Sequence, residues 1–383
     1  MKVIITSRAV YPLHGYGGME KYVYYLSKYL VKQGINVEIV SSSDNKKRKE
    51  EVIDGIKYTI IPPQVNQRRL SHLWYHLFVI NLAKYLKKKE FAVLHSYGIT
   101  SYAYLHLKKR ASTIVQAFDF EPFILEKKYL KATYNEIFMK NPLRYCITHC
   151  DAIALYGEYQ IDEIIKLFNI DRNRIFFLPV GVDISSIIET LEVKKLSREN
   201  LGLKDKDFVL ISVNRFDSHK GINYLVDAFN LIKQEIDNAK LILIGAGSEE
   251  ERIKKQIEDY KLTDSVIHLK NVPEDLLYNY YALSDIYVSP TLFGYFITSV
   301  MEAMACGLPI VSTGQEFIVE SGVNGYVVPK RNAKEMAEAV LKIYDGNKVK
   351  TMGNASQQII KKYDWNVIAK NAIKKYEKLI KEG

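Results

Sequence analysis

Strand-like apolar runs alternate with amphipathic helical stretches from one end of this chain to the other. The first half opens with a strand at Lys2–Thr6 and a helix over 18–33, and it continues in this way to a strand at 174–178. A second set begins with a strand at Phe208–Val213 and ends with a helix over 367–381. Strands and helices that alternate over short connections form parallel sheets with helices on both faces. The pattern therefore predicts an α/β fold with doubly wound sheets.

The length of the chain predicts two such domains. With 383 residues, each domain is large enough for its own core, and the polar, weakly periodic stretch 184–206 is the expected linker. We predict a first domain at 1–183, a second at 207–362 and a final helical segment at 363–383. Ligands of open parallel sheets bind beyond the carboxyl ends of the strands, so the site is expected in a central cleft that the two domains face.

Composition excludes several classes of protein. The chain has no run of 18 apolar residues, so no membrane-spanning helix is predicted. Its start, MKVIITSRAVYP, lacks the apolar core and cleavage site of a signal peptide, and we expect a cytoplasmic protein. The three cysteines provide no disulfide framework. Cys146 and Cys150 lie one helical turn apart, which indicates a buried helix face rather than a metal site.

The positive charge of the chain is concentrated in its first half. Residues 1–183 contain 27 Lys and Arg against 17 Asp and Glu, whereas residues 184–383 contain 27 of each kind. Solvated helix ends and loops explain each basic cluster taken singly. Together the clusters predict a face for anionic lipid headgroups or a phosphate-bearing acceptor, with the protein peripheral on the inner face of the membrane. No nucleic-acid recognition motif accompanies the charge, so nucleic acid is not expected as a partner.

The stretch 284–309 combines a short strand, a loop of glycine and aromatic residues, and a helix over Thr298–Ala305. A loop that leads into a helix directs unpaired backbone N–H groups and the positive end of the helix dipole at one place, which suits phosphate. Glu302 lies one turn into this helix, where its carboxylate would accept hydrogen bonds from a pair of sugar hydroxyls. A buried Glu with a structural partner is the alternative interpretation.

Two cations follow the first strand of the second domain. Arg215 offers a planar fork of donors and Lys220 a point charge, and both lie on the loop before the next helix. Together they would bind a diphosphate. Gly245 and Gly247 end the following strand and leave room for a base or a ribose. Taken singly, each of these features is also explained as a surface charge or a turn.

The first strand–helix connection is rich in glycine. Gly15, Gly17 and Gly18 allow a ligand to approach the backbone closely just before a helix begins. Their spacing differs from the dinucleotide fingerprint G-x-G-x-x-G, and no acidic residue is placed for a ribose at the end of the second strand. The loop therefore argues against a nicotinamide-dependent enzyme.

These features occur in an order that resembles the retaining glycosyltransferases of family 4, also described as glycosyl transferases group 1. The resemblance covers nearly the whole chain and is densest from 208 to 330. Its most specific motif is the run Glu302-Ala-Met-Ala-Cys-Gly307. The other motifs are Gly17-Gly18-x-Glu20, Pro179-x-Gly181-Val182-Asp183, Arg215-x4-Lys220-Gly221, Gly245-x-Gly247 and Asn324-Gly325.

The resemblance implies the GT-B fold, in which two Rossmann-like domains face a central cleft. The first domain would bind the acceptor, the second would bind a nucleotide-sugar donor, and the final helix would return to the first domain. The implied reaction moves a sugar from the donor to an acceptor hydroxyl, with a glycan or a lipid-linked molecule as the acceptor. The family needs no metal, and no cofactor beyond the nucleotide-sugar co-substrate.

The resemblance also implies roles for individual residues. Arg215 and Lys220 would hold the donor diphosphate and stabilise the leaving nucleotide, and Glu302 would accept hydrogen bonds from the ribose. The remaining donor contacts would come from Gly17, Gly18, Gly245 and the backbone amides near Ile297 and Thr298.

Three positions depart from the family pattern, and one of them is Val180, which stands where the P-N-G-V-D motif of the family has Asn. Gly294 stands eight residues before Glu302, where the family has a second Glu that addresses the donor sugar. Phe118 replaces a His of the first domain. In the absence of the Glu at position 294, Asp119 or Glu121 would supply a carboxylate from the other side of the cleft, and Asp119 is the predicted catalytic residue. The departures leave open a non-catalytic protein that binds nucleotide or glycan, and a nucleotide-sugar epimerase or a phosphorylase of the same architecture. Nothing in the sequence indicates a pyridoxal lysine.

Overall fold

The computed structural model describes residues 1–14, 18–42, 48–63, 71–107, 111–116, 136–193, 196–293, 298–314 and 317–382. The chain forms two compact units. One consists of Met1–Val180 together with Trp365–Gly383, and the other of Gly181–Asp364. Each unit has its own sheet of parallel strands, with one antiparallel strand at the edge of the first, which confirms the predicted α/β class.

The first unit is built on a sheet that has eight strands in the described part of the chain, in the order β3-β4-β2-β1-β5-β6-β7-β8. Its central strands are buried because helices cover both faces of the sheet, as in Val93–Tyr97, where every residue is buried, including the polar His95 and Ser96. Neighbouring described strands pair in parallel except β3, which pairs antiparallel with β4. The strands are β1 (Lys2–Thr6), β2 (Asn36–Ser42), β3 (Lys49–Ile53), β4 (Ile56–Ile61), β5 (Val93–Tyr97), β6 (Ser112–Gln116), β7 (Ala152–Leu155) and β8 (Ile175–Phe177).

The helices of this unit cover the sheet and bury their apolar faces against it. Cys146 and Cys150, at one end of a helix, are both buried, as the spacing predicted. The helices are α1 (Gly18–Lys32), α2 (Ser71–Leu86), α3 (Tyr102–Leu105), α4 (Asn141–His149) and α5 (Ile161–Phe168), with a π-helical turn at Glu136–Lys140. Within the described residues, no helix in either unit is long and apolar enough to cross a membrane.

The second unit has a parallel sheet of six described strands in the order β11-β10-β9-β12-β13-β14. The strands are β9 (Phe208–Val213), β10 (Ala239–Ile244), β11 (Val266–Leu269), β12 (Ile286–Ser289), β13 (Ile310–Ser312) and β14 (Gly325–Val327). The helices are α6 (Ile184–Val193), α7 (Ile222–Glu235), α8 (Glu250–Asp259), α9 (Glu274–Ala282), α10 (Thr298–Ala305), α11 (Ala333–Asp345) and α12 (Val349–Ile360).

Residues 184–206, expected as a linker, are part of the second unit and include helix α6. Ile187 of this helix is fully buried. Further along, the Arg198 guanidinium donates to the Leu283 carbonyl and pairs with Asp285 at 2.9 Å. The polar residues that made this stretch look like a linker therefore anchor it to the end of α9 and the start of β12.

The last helix, α13 (Trp365–Glu382), belongs to the first unit, where the resemblance places it. Trp365 is buried against Tyr22 and Tyr25 of α1. Further along the helix, the Tyr376 hydroxyl is hydrogen-bonded to Nδ1 of His95 in β5, at 2.8 Å. A side chain near the end of the chain thus reaches the centre of the first sheet.

Candidate functional site

Three loops meet at the carboxyl edge of the second sheet, because the strands that they follow are neighbours in the order β10-β9-β12. The loop after β9 is joined to the loop after β10 by the Phe216 amide, which donates to the Ala246 carbonyl at 3.0 Å. It is joined to the loop after β12 by the Leu292 amide, which donates to the His219 carbonyl at 2.9 Å. The edge is therefore a continuous backbone surface rather than three separate turns.

Glycine allows these loops to approach one another. At Gly245, where φ is +141°, a Cβ atom would lie 1.8 Å from the carbonyl oxygen of Asn214. At Gly221, where φ is +67°, it would lie 2.3 Å from the carbonyl oxygen of Pro290. Contact with the neighbouring loop is thus a sufficient reason for glycine at position 245, and the contact of Gly245 with the donor stays a prediction.

The two predicted cations lie together on the loop after β9. Arg215 is 77% exposed, and its Nη2 lies 2.7 Å from Oδ2 of Asp217. Lys220 is partly buried. Burial lowers the pKa of Lys220, the positive charge of Arg215 lowers it further, and Asp217 opposes the shift. A bound anion would stabilise both cations, so this corner of the edge favours a negatively charged ligand.

Helix α10 begins next to the end of β9. The hydroxyl of the buried Tyr287 of β12 lies within hydrogen-bond distance of the carbonyl of Val213, the last residue of β9, at 3.3 Å and of Oγ of Ser299 at 2.9 Å. Thr298, the first residue of α10, is exposed. The Tyr287 hydroxyl therefore holds the positive end of the α10 dipole next to the end of β9, the strand that precedes the loop with Arg215 and Lys220.

Glu302 is partly buried one turn into α10, against the fully buried Tyr281 of α9. The Tyr281 hydroxyl donates to Oε2 of Glu302 at 3.3 Å. Burial raises the pKa of Tyr281 well above its ordinary value, and the negative charge of Glu302 raises it further, so the phenol stays a donor. The same two causes raise the pKa of the Cys306 thiol. Glu302 is thus oriented by a buried phenol on its inner side.

A group of buried and half-buried polar side chains at the ends of β9, β12 and β13 was missed from the sequence. The Asn214 amide donates to Oγ of Ser212 at 3.1 Å, and the Thr313 hydroxyl donates to the Thr291 carbonyl at 2.6 Å. Thr291 lies near the Asn214 carboxamide, at 3.5 Å. The available signal was the occurrence of Ser, Thr and Asn at the ends of three buried strands. Their hydrogen bonds connect the strand ends to the loops that follow them.

The remaining predicted site residues are not tested. Gly18 begins α1 in the first unit. Gly17, Asp119, Gly294 and Ile297 lie outside the described residues. Among the residues that the structure describes, no group of three or more His, Cys, Asp and Glu is placed to hold a metal ion.

Both halves of the chain match models of known families. Residues 16–186 match the model described as Glycosyltransferase Family 4, and residues 193–362 match the model described as Glycosyl transferases group 1. The second match contains Arg215, Lys220, Gly245 and Glu302.

Individual relatives match at low identity. The chain is 24% identical to an uncharacterised glycosyltransferase of Methanocaldococcus jannaschii over 96% of each chain. It is 28% identical to poly(glycerol-phosphate) alpha-glucosyltransferase of Bacillus subtilis over 57% of its own length and 30% of that protein. It is 29% identical to N,N'-diacetylbacillosaminyl-diphospho-undecaprenol alpha-1,3-N-acetylgalactosaminyltransferase of Campylobacter jejuni over 57% of its length and 58% of that protein.

Solved structures share the fold over the whole length of the chain. Sucrose-phosphate synthase from Thermosynechococcus elongatus superposes with a TM-score of 0.79 at 20% identity and covers 100% of both chains. Anabaena HepE in complex with UDP superposes with a TM-score of 0.73 at 18% identity, over 99% of this chain and 100% of that one.

Proposed function

This chain belongs to the group 1 glycosyltransferases and has the GT-B fold, and we propose that it transfers a sugar from a nucleotide-sugar donor to an acceptor hydroxyl, with retention of configuration. One observation carries the proposal. Arg215 and Lys220 lie at the same sheet edge as the N-terminus of α10, and Glu302 follows one turn later.

In this proposal the carboxyl edge of the second sheet binds the diphosphate and the ribose, the parts that nucleotide-sugar donors share. The Arg215 fork and the Lys220 ammonium bind the diphosphate oxygens, and the backbone amides at the start of α10 contribute further donors. Glu302, oriented by Tyr281, accepts hydrogen bonds from the ribose hydroxyls. As the bond between sugar and diphosphate breaks, negative charge grows on the leaving nucleotide, and the two cations stabilise it in place of a metal ion.

The names of two relatives support an acceptor of a particular kind. One relative is described as acting on poly(glycerol-phosphate) and another on a diphospho-undecaprenol, a lipid-linked molecule. The net positive charge of residues 1–183 suits an acceptor that is anionic or displayed at an anionic membrane. We therefore propose a glycan or lipid-linked acceptor and a peripheral position on the cytoplasmic face of a membrane.

Calorimetric titration of UDP, GDP and ADP into the protein tests the donor site. We expect one nucleotide to bind and its affinity to fall in Glu302→Ala, because the ribose loses its acceptor. Glu258→Ala, on the exposed side of α8, is the matched control and leaves the affinity unchanged. Absence of binding by all three nucleotides would overturn the proposal.

Gly294 favours a second candidate, a non-catalytic protein that still binds nucleotide or glycan. The family has Glu at this position, where it addresses the donor sugar, and glycine provides no carboxylate. Donor binding without transfer to a panel of acceptors, and without slow hydrolysis of the donor, would support this second candidate over the first.

A further inference from the structure

Helix α2 of the first unit is apolar on both of its faces. Tyr75, Phe78, Val79 and Leu82 are buried in the core of the unit. The opposite side carries four large apolar side chains with exposed fractions between 40% and 46%, namely Leu73, Trp74, Leu77 and Ile80. A surface helix normally presents polar residues to water, so this outer stripe has no role in the folded unit by itself.

The apolar surface continues beyond the helix. Ile137, on the π-helical turn Glu136–Lys140, is 55% exposed. This turn is held against α2 by His76, whose Nε2 is hydrogen-bonded to the carbonyl of Phe138 at 2.8 Å. The two elements therefore share one patch, and a single exposed Leu or Ile would not form such a surface.

The same helix face is basic at its far end. Lys84 follows Ile80 by one turn, and Lys87 and Lys88 come directly after the helix; all three are exposed. No Asp or Glu occurs anywhere between residues 71 and 89. We define the α2 face as Leu73, Trp74, Leu77, Ile80, Lys84, Lys87 and Lys88.

We propose that the α2 face docks on an anionic lipid bilayer, with its apolar side chains among the headgroups and its lysines against the lipid phosphates. The apolar stripe and the uniform positive charge match the two components of such a surface. Two copies of the face would instead bring together charges of the same sign. The 16 residues of α2 are too few to span a bilayer, so the helix lies along the surface. The inference rests on the lipid-linked acceptor of the proposed function.

Flotation of the full-length protein with vesicles tests the apolar stripe. We expect retention on phosphatidylcholine vesicles that contain phosphatidylglycerol, and a fall of at least about tenfold in the partition constant for Leu73→Ser/Leu77→Ser/Ile80→Ser. Circular dichroism and a thermal transition check that the variant keeps its fold, since these side chains are between 40% and 46% exposed. The matched control is Ile188→Ser/Leu231→Ser in the second unit, where the side chains are 50% and 37% exposed. Equal retention of the two variants would overturn the proposal.

Trp74 provides a direct reading of the contact. The chain has two tryptophans, and Trp365 is buried, with 2% exposed. We expect the tryptophan fluorescence emission to shift to shorter wavelength when vesicles are added, and brominated lipids to quench this fluorescence. Both effects should be absent in Trp74→Phe. A spectrum of the unaltered protein that vesicles leave unchanged would contradict docking through α2.

The charged end is tested with Lys84→Gln/Lys87→Gln/Lys88→Gln. We expect weaker retention and a smaller loss of retention as salt rises, because fewer cations meet the lipid phosphates. The control is Lys334→Gln/Lys350→Gln/Lys362→Gln, exposed lysines of the second unit. If the two triple variants were retained alike, electrostatic docking by this face would be excluded.

Two further readouts separate the possible failures. Sedimentation velocity shows whether the protein is a dimer and whether Leu73→Ser/Leu77→Ser/Ile80→Ser, the serine variant, is a monomer. If so, and if vesicles retained neither the unaltered protein nor the serine variant, the α2 face would bind a second copy of the chain. The proposal would then be overturned. Nucleotide titration of the serine variant should match the unaltered protein. Loss of vesicle binding with nucleotide binding intact supports the docking surface, whereas vesicle binding without any nucleotide binding removes the proposed function instead.

Discussion

Arg215 and Lys220 place two positive charges close together, and a bound anion would offset the repulsion between them. The charge of Arg215 contributes to the lowered pKa of Lys220, and Asp217 offsets it only in part. We expect Arg215→Ala to weaken binding of the preferred nucleoside diphosphate at least about tenfold, because the fork is lost. Calorimetry measures the change. Arg252→Ala is the matched control, since Arg252 is 69% exposed and pairs with Glu249 at 3.0 Å in the same unit. An unchanged affinity in Arg215→Ala would contradict the diphosphate contact.

Gly245 is a second residue whose role is argued from geometry. An added Cβ atom meets the Asn214 carbonyl, and the positive φ is unfavourable for alanine. We expect Gly245→Ala to lower the free energy of unfolding by at least about 2 kcal/mol. Gly202→Ala, at φ +67° with no atom within 4 Å of the new Cβ, should cost about 1 kcal/mol from strain alone. Chemical denaturation compares the two, and equal losses would show that the loop contact is unimportant.

At the level of elements, β5 and α13 are joined through a buried histidine. His95 is fully buried between Tyr376 and Gln116 and stacks on Tyr97, and burial lowers its pKa to about 4. The unfolded chain, with an ordinary histidine pKa near 6.5, binds a proton that the folded chain does not bind between these values. We therefore expect the contribution of His95 to the free energy of unfolding to be fully present above about pH 6.5. It should fall by about 3 kcal/mol as the pH drops to about 4.

Denaturation of the protein across this pH range measures the effect. In His95→Gln, which keeps a polar side chain but does not titrate, the part of the slope due to this residue should disappear. A slope that is the same in the variant and the unaltered protein would show that other groups cause it.

For the molecule as a whole, local sequence patterns predicted the elements well where glycine and proline mark their ends. The helix Thr298–Ala305, which ends before Gly307, has the predicted bounds, and the strand Ile310–Ser312 begins directly after Pro309. The edge strand β3 was missed because its sequence, KEEVI, is mostly charged and exposed. Helix α6 was missed because few of its residues are buried.

The contacts of the candidate site could be predicted only in part. Arg215, Lys220 and Glu302 were expected at one edge because parallel strands end on the same side of a sheet. Tyr281 beneath Glu302 and Tyr376 beside His95 were not expected, since each pair joins residues on different elements and the second pair is 281 positions apart. Sequence periodicity shows that such a residue is buried but does not show which partner it meets.

Arg215, Lys220 and Glu302, the three side chains proposed to contact the donor, lie in one compact unit. That unit should therefore bind nucleotide without the rest of the chain. Gly181–Asp364 has its own sheet and its own buried core. We expect a fragment of residues 181–364 to fold, as judged by a cooperative thermal transition, and to bind the preferred nucleoside diphosphate within about tenfold of the full chain. Glu302→Ala in the fragment should weaken binding as it does in the full chain. A folded fragment without affinity would mean that the first unit, where Gly18 begins α1, supplies an essential part of the donor site.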